Sequence, residues 1–285
     1  MARWAPSSKD AECRWTRRRG ARRLLPTHPD IVREVHEDFI RTGADVIIAN
    51  TFATSRHVLG PAGLGERFRE LNVRAVTLAK EARENAAEGP VFIAGSISTF
   101  TARYDNSYEP RAERARANYR EQAEVLVESG VDVIALEMMR DLEQTTYAVE
   151  AAVATGLSVW VGFSCKTTDE GTVVLWDGEH TLVEALEMLH PLGASLVSIM
   201  HTLTEDTPAA LREVSKCWSG PVGAYPHSGE FIMPNWQFLD VLTPADFATQ
   251  ALGWLEMGVQ LIGGCCGIGP EHIRLLKERL PERSS

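Results

Sequence analysis

The sequence predicts an α/β fold, a (β/α)8 barrel of the TIM type whose first strand is absent or atypical. Three observations carry that reading. The chain is 285 residues long with 44% hydrophobic content, the size at which this barrel forms one domain. From residue 28 onward, short β-branched apolar runs alternate with longer stretches of helical spacing, the rhythm of repeated βα units around a parallel sheet. Several of the runs are continuously apolar rather than alternating, as strands covered on both faces must be.

Seven strands are legible in order: 45–50 (DVIIAN), 91–96 (VFIAGS), 132–137 (DVIALE), 158–164 (SVWVGFS), 194–201 (ASLVSIMH), 222–225 (VGAY) and 260–264 (QLIGG). Helical spacing is expected over 30–41, 66–87, 111–129, 142–155, 181–190, 207–217, 243–257 and 270–279. Pro29 and Pro270 suit the first helical position. Gly43, Gly130, Gly156 and Gly258 suit helix C-caps, where a left-handed residue ends the turn. Eight helices against seven strands leave a strand owing at the start. Residues 1–27 show no strand-like run, so they are expected to supply an irregular substitute: an atypical basic segment ahead of a barrel domain over 28–285.

Charge and cysteine usage narrow the function. Residues 1–23 carry eight Lys/Arg against Asp10 and Glu12, leaving the rest with 21 basic and 37 acidic groups, a net charge of −16. Such a body is a poor nucleic-acid surface. Five cysteines, two of them adjacent, do not form the even, spread pattern of a disulfide framework, and a reducing cytoplasmic setting is expected. No run approaches the roughly 18 apolar residues of a membrane span.

In a parallel barrel, chemistry gathers at the C-terminal strand ends. Here those ends are Asn50-Thr51, Ser96, Glu137, Ser164-Cys165, Met200-His201, Tyr225-Pro226-His227 and Gly264-Cys265-Cys266. The vicinal thiols of GGCCG stand out. Flanking glycines permit the backbone by which Cys265 and Cys266 can face one metal, although such a pair can also form a redox disulfide or pack as small apolar groups. Cys165 is expected to be a packed thiol. The tryptophans Trp160, Trp176, Trp218, Trp236 and Trp254 are too scattered in sequence to read as an aromatic cage.

The segments GADVIIANTF, GSIS, ALE, GFSCK, YPHSGE and GGCCGIGPEHI stand in order at strand ends, and through them residues 29–279 resemble the homocysteine S-methyltransferase family. The resemblance implies a zinc-dependent barrel, Zn2+ being the cofactor. Its partners are two small molecules: a methyl donor, sulfonium or related, and a thiol acceptor, homocysteine or similar. It implies that Cys265 and Cys266 are two of three zinc cysteines. The third family cysteine is replaced by His201, in S-I-M-H, and a Cys2His set is a competent zinc site. The resemblance also assigns Glu137 to the acceptor's amino group, with Asn50 and Thr51 as further candidate substrate contacts. The family's first-strand motif D-G-[GA]-M-G-T, source of a second carboxylate, has no match in residues 1–27, and His227 stands where the family pattern has Asn. Those departures keep open an alternative: a barrel of this family that binds or regulates without transferring methyl groups.

Overall fold

A computed structural model describes residues 27–100, 111–232 and 237–280. Seven strands form one parallel sheet: β1 (Val46–Ile48), β2 (Phe92–Ser98), β3 (Val133–Met139), β4 (Val159–Phe163), β7 (Leu196–Leu203), β8 (Val222–His227) and β11 (Leu261–Ile262), hydrogen-bonded in that order. Each of the seven expected strands is present. The expected irregular segment at residues 1–27, Cys13 and Trp236 lie outside the described residues, apart from Thr27.

The sheet curls, and the burial pattern shows it. Val46 and Ile48 of β1, Ala94 of β2, Val133 and Ala135 of β3, Met200 of β7, Tyr225 of β8 and Cys265 beyond β11 share one interior cluster. The alternate residues Ile47, Ile93, Ile134, Leu136, Val161 and Val197 pack instead into the larger core between sheet and helices. Side chains of a strand point alternately to opposite faces, so these two clusters are the inside and outside of a barrel wall. Small residues make the interior fit: a Cβ on Gly162 would lie 2.6 Å from both Met200 Cγ and the Tyr225 hydroxyl. Lys277 of the last helix pairs with Asp45, just before β1, at 3.2 Å and ties the two ends of the sheet together.

Outside the sheet lie α1 (Pro29–Arg41), α3 (Phe68–Ala86), α4 (Ala112–Glu128), α5 (Leu142–Val153), α6 (Leu182–Leu189), α7 (Thr207–Cys217), α8 (Pro244–Glu256) and α9 (Pro270–Arg279), with a single turn, α2 (Arg56–Leu59), after β1. Local chemistry sets their starts. Asp141 accepts from the Gln144 N–H, Thr181 and Glu184 form a reciprocal capping box, and Thr243 accepts from Asp246 N. Their ends agree with the glycine reading: Gly43, Gly130, Gly156 and Gly258 all have positive φ. No helix among the described residues is long and apolar enough to cross a membrane.

Two hairpins escaped the sequence reading, β5–β6 (Cys165–Thr167, Val173–Leu175) and β9–β10 (Glu230–Ile232, Gln237–Leu239). Strands of three residues are too short to show periodicity. Four barrel strands also run past their expected ends: β2 to Ser98, β3 to Met139, β7 to Leu203 and β8 to His227. For β3 and β7 the cause is a bulge, because pairing slips between Leu136 and Met139 and between Met200 and Leu203.

Candidate metal centre at the barrel mouth

Strand parity delivers four of the site residues. Glu137 follows Val133 and Ala135 inward, His227 follows Tyr225, Ser96 follows Ala94, and Asn50 follows Ile48. Glu137 is fully buried, and the Ser96 hydroxyl donates to its Oε2 across the β2–β3 pair. A buried carboxylate needs hydrogen bonds or a cation to remain charged, and Ser96 supplies one such bond. Asn50 is buried, and its Nδ2 has no hydrogen-bond partner among the described residues. The Thr51 hydroxyl donates to the Ser96 carbonyl at 2.7 Å and accepts from the Ser96 N–H at 2.9 Å, so it stitches β1 to β2 beneath Glu137.

The bulges supply the rest. Met138 and His201 take left-handed backbone, φ 57° and 47°, a conformation that costs a non-glycine residue about 1–2 kcal/mol. Neighbours hold both in place. The Met138 carbonyl accepts from Thr99 Oγ1 and its N–H meets Met200 Sδ, while the His201 carbonyl accepts from Ser164 Oγ at 2.9 Å. The bulge turns the His201 imidazole toward the last strand: its Nδ1 lies 3.9 Å from Cys265 Sγ, which is 3.8 Å from Cys266 Sγ. All three donor atoms lie within 4.8 Å of one another.

The thiols hang on a turn stitched to β8 by Cys265 N–H to the Pro226 carbonyl (2.8 Å) and Ser228 N–H to the Cys266 carbonyl (3.0 Å). Gly267 (φ 78°) closes it, and a Cβ there would strike the Ser228 carbonyl at 2.3 Å. Tetrahedral zinc, with Zn–S near 2.3 Å and Zn–N near 2.0 Å, separates its sulfurs by roughly 3.8 Å and sulfur from nitrogen by about 3.6 Å. The observed spacings fit such an ion.

Other marked residues fall into place around this centre. The imidazole of His227 stacks 5.0 Å from that of His201, and burial, reinforced by His201, pulls its pKa down to about 4. Its Nδ1 has no hydrogen-bond partner among the described residues. Cys165 is buried, its Sγ pushed well above the usual thiol range by desolvation, as a packed thiol should be. Among the scattered tryptophans, Trp176 comes to this centre, its ring 5.7 Å from that of His201. Trp254 is core and Trp218 donates to the Pro221 carbonyl. No sequence signal marked Trp176, because its neighbour is 25 residues away and reached only through the hairpin. A second group, Asp177, Glu179 and His180, is a hydrogen-bonded turn in which Asp177 accepts from both following N–H groups.

Comparison with known proteins gives the family and the fold. The family model described as homocysteine S-methyltransferase matches residues 6–280, reaching into the basic N-terminal segment. Homocysteine S-methyltransferase YbgG of Bacillus subtilis is 28% identical, covering 88% of this chain and 84% of that protein. Selenocysteine Se-methyltransferase of Brassica oleracea var. italica is 28% identical over 92% of this chain and 83% of its own length. Among solved structures, the metallated form of the homocysteine methyltransferase MmuM from Escherichia coli superposes with a TM-score of 0.75 at 27% identity, covering 91% of this chain and 88% of that one.

Proposed function

The chain belongs to the homocysteine S-methyltransferase family, and from that premise we propose that His201, Cys265 and Cys266 hold a zinc ion beside which a small thiol acceptor, homocysteine or a close analogue, takes a methyl group from an onium donor. The chain is a thiol methyltransferase. One observation carries the assignment of its centre: an imidazole nitrogen and two sulfurs from β7 and the turn after β11 gather within 4.8 Å. Zinc bound there would hold the acceptor as a thiolate at neutral pH.

The chain's own residues supply position and charge. Glu137, oriented by Ser96, faces the interior where the acceptor's ammonium would lie, and a charge-assisted hydrogen bond there fixes which end of the acceptor reaches the thiols. Asn50 offers a buried amide at the end of β1; Thr51 braces the strand end on which Asn50 sits. Burial of this mouth removes water that would otherwise solvate and blunt a thiolate nucleophile.

His201 alters the electrostatics relative to the three-cysteine pattern. Two thiolates and a neutral imidazole neutralise a divalent ion, whereas three thiolates leave it at −1, so this centre would hold an acceptor thiolate more tightly and leave it less nucleophilic. Slower transfer, or selection of a more nucleophilic acceptor such as a selenol, is the expected consequence. The donor set, with two strained bulges holding its surroundings in place, supports the enzyme reading over an inactive binding barrel.

Purified under reducing conditions, the protein should contain close to one zinc per chain and methylate homocysteine or selenocysteine from S-methylmethionine. Cys265→Ser with Cys266→Ser should abolish both. A wild-type protein that retains no metal and transfers no methyl group to either acceptor would overturn the proposal.

A further inference from the structure

We propose that Trp176 forms the donor side of this site, its indole face receiving the positively charged onium group of the methyl donor; the proposal rests on the transferase reading above. Among the described residues only four large apolar side chains are substantially exposed: Val73, Phe92, Trp176 and Leu239. Val73 lies on an outer helix, and Phe92 opens β2 at the opposite end of the barrel. Trp176 is different, for it is 42% exposed yet anchored on the catalytic rim.

The anchoring is specific. Trp176 N–H donates to the carbonyl of Ser164, the residue after β4, at 2.9 Å, and Asp177 N–H donates to the carbonyl of Arg140, just after β3. The β5–β6 hairpin and a bridge from Val174 to Thr181 hold the segment on both sides. From there the indole reaches His201 at 58°, and His201 meets His227 at 48°, so three rings line one side of the mouth and the middle one, His201, lies 3.9 Å from the Cys265 sulfur.

An indole so placed has a preferred ligand. Its face carries a partial negative potential, which attracts a cation with a polarisable, weakly hydrated surface more than a neutral group of equal size. A sulfonium or quaternary ammonium has that character. The surroundings share the sign, since Glu137 lines the interior, Asp206 acts electrostatically on both Cys165 and His227, and the chain beyond residue 23 carries a net charge of −16. In the transfer, the acceptor thiolate forms a new S–CH3 bond while the methyl–onium bond breaks, its electron pair staying on the departing sulfide or amine. The charges of −1 and +1 cancel and no proton moves. The donor is thus cationic and its product neutral, so an indole that reads charge holds the donor and releases the product.

The test uses the full-length, metal-loaded protein and Trp176→Ala and Trp176→Phe variants, with S-methylmethionine as sulfonium probe, glycine betaine as ammonium probe and methionine as neutral analogue, each titrated calorimetrically. Trp176→Ala should weaken binding of the preferred onium about five- to twentyfold, the range of a cation–π contact, and methionine less than twofold. Trp176→Phe should retain most of the affinity. Homocysteine affinity and zinc content should not change, and in turnover the loss should appear in donor KM with kcat within twofold. Equal weakening for onium and methionine, no weakening, or a fall in zinc content would overturn the inference, the last by showing that Trp176 acts through packing on His201. A wild type that transfers no methyl group counts against the proposed function; a wild type that shows no preference for either onium over methionine counts against Trp176.

Discussion

Glu137 is a carboxylate without exposure, and its chemistry follows from that single fact. Ser96 Oγ donates to one of its oxygens, and the whole side chain is buried on the inward face of β3. Replacing it by glutamine keeps an acceptor for Ser96 and removes the charge. Glu137→Gln should therefore fold normally and lose about 1–3 kcal/mol of homocysteine binding, roughly 5- to 150-fold in affinity, measured by calorimetry. An affinity unchanged from wild type would make Glu137 a structural group. At this scale the sequence reading was strong where residues are neighbours in the chain and weak elsewhere. Cys265-Cys266 announces itself by adjacency and flanking glycines. The Ser96–Glu137 and Trp176–His201 contacts do not, because each joins residues that only the sheet brings together.

Among the elements, the turn after β11 bears the most chemistry on the least structure. Its glycine at 267 has positive φ and faces the Ser228 carbonyl so closely that no side chain fits. Gly267→Ala should cost about 1–2 kcal/mol from backbone strain alone, and it should move both thiols, because Cys265 and Cys266 are bonded to β8 on either side of the same contact. Lower melting temperature together with faster zinc loss to a chelator is the expected outcome. Gly253, inside α8 with nothing near its Cβ, is the control: Gly253→Ala should raise stability by about 0.5–1 kcal/mol and leave zinc retention unchanged. Bulges at Met138 and His201 are the other decisive local features. Left-handed backbone is uncommon for any non-glycine residue, and the enrichment of histidine there is too small to mark a bulge in the chain.

Across the whole molecule, burial sets a pH limit on stability. His36 in α1 and His57 in α2 are each pulled down to about 4 by desolvation, against an ordinary histidine value near 6.5. Both are neutral in the folded state over that interval, while the unfolded chain takes up protons. The unfolded state therefore binds more protons between pH 6.5 and 4, so stability is complete above 6.5 and falls progressively as pH drops toward 4. The loss is roughly 3 kcal/mol per histidine at most. Thermal melts across pH 4–7 should show this decline, and His36→Leu should flatten part of it; an unchanged slope in the variant would remove His36 from the explanation.

By itself the sequence determined the order of strands and helices, the helix starts and stops, and the vicinal thiols, because hydrophobic period, capping residues and adjacent ligands act over a few residues. It also placed Glu137 and His201 within two residues of the ends of their strands. Tertiary structure decided what those ends do. Curling the sheet put alternate residues on a shared interior, which turned Glu137 toward Ser96, and a left-handed bulge at His201 swung its imidazole to within 3.9 Å of Cys265. A hairpin of two three-residue strands carried Trp176 onto the same ring of side chains. These are contacts between distant segments, and their geometry depends on sheet curvature and on strain that the surrounding packing sustains, neither of which has a local signature in the chain.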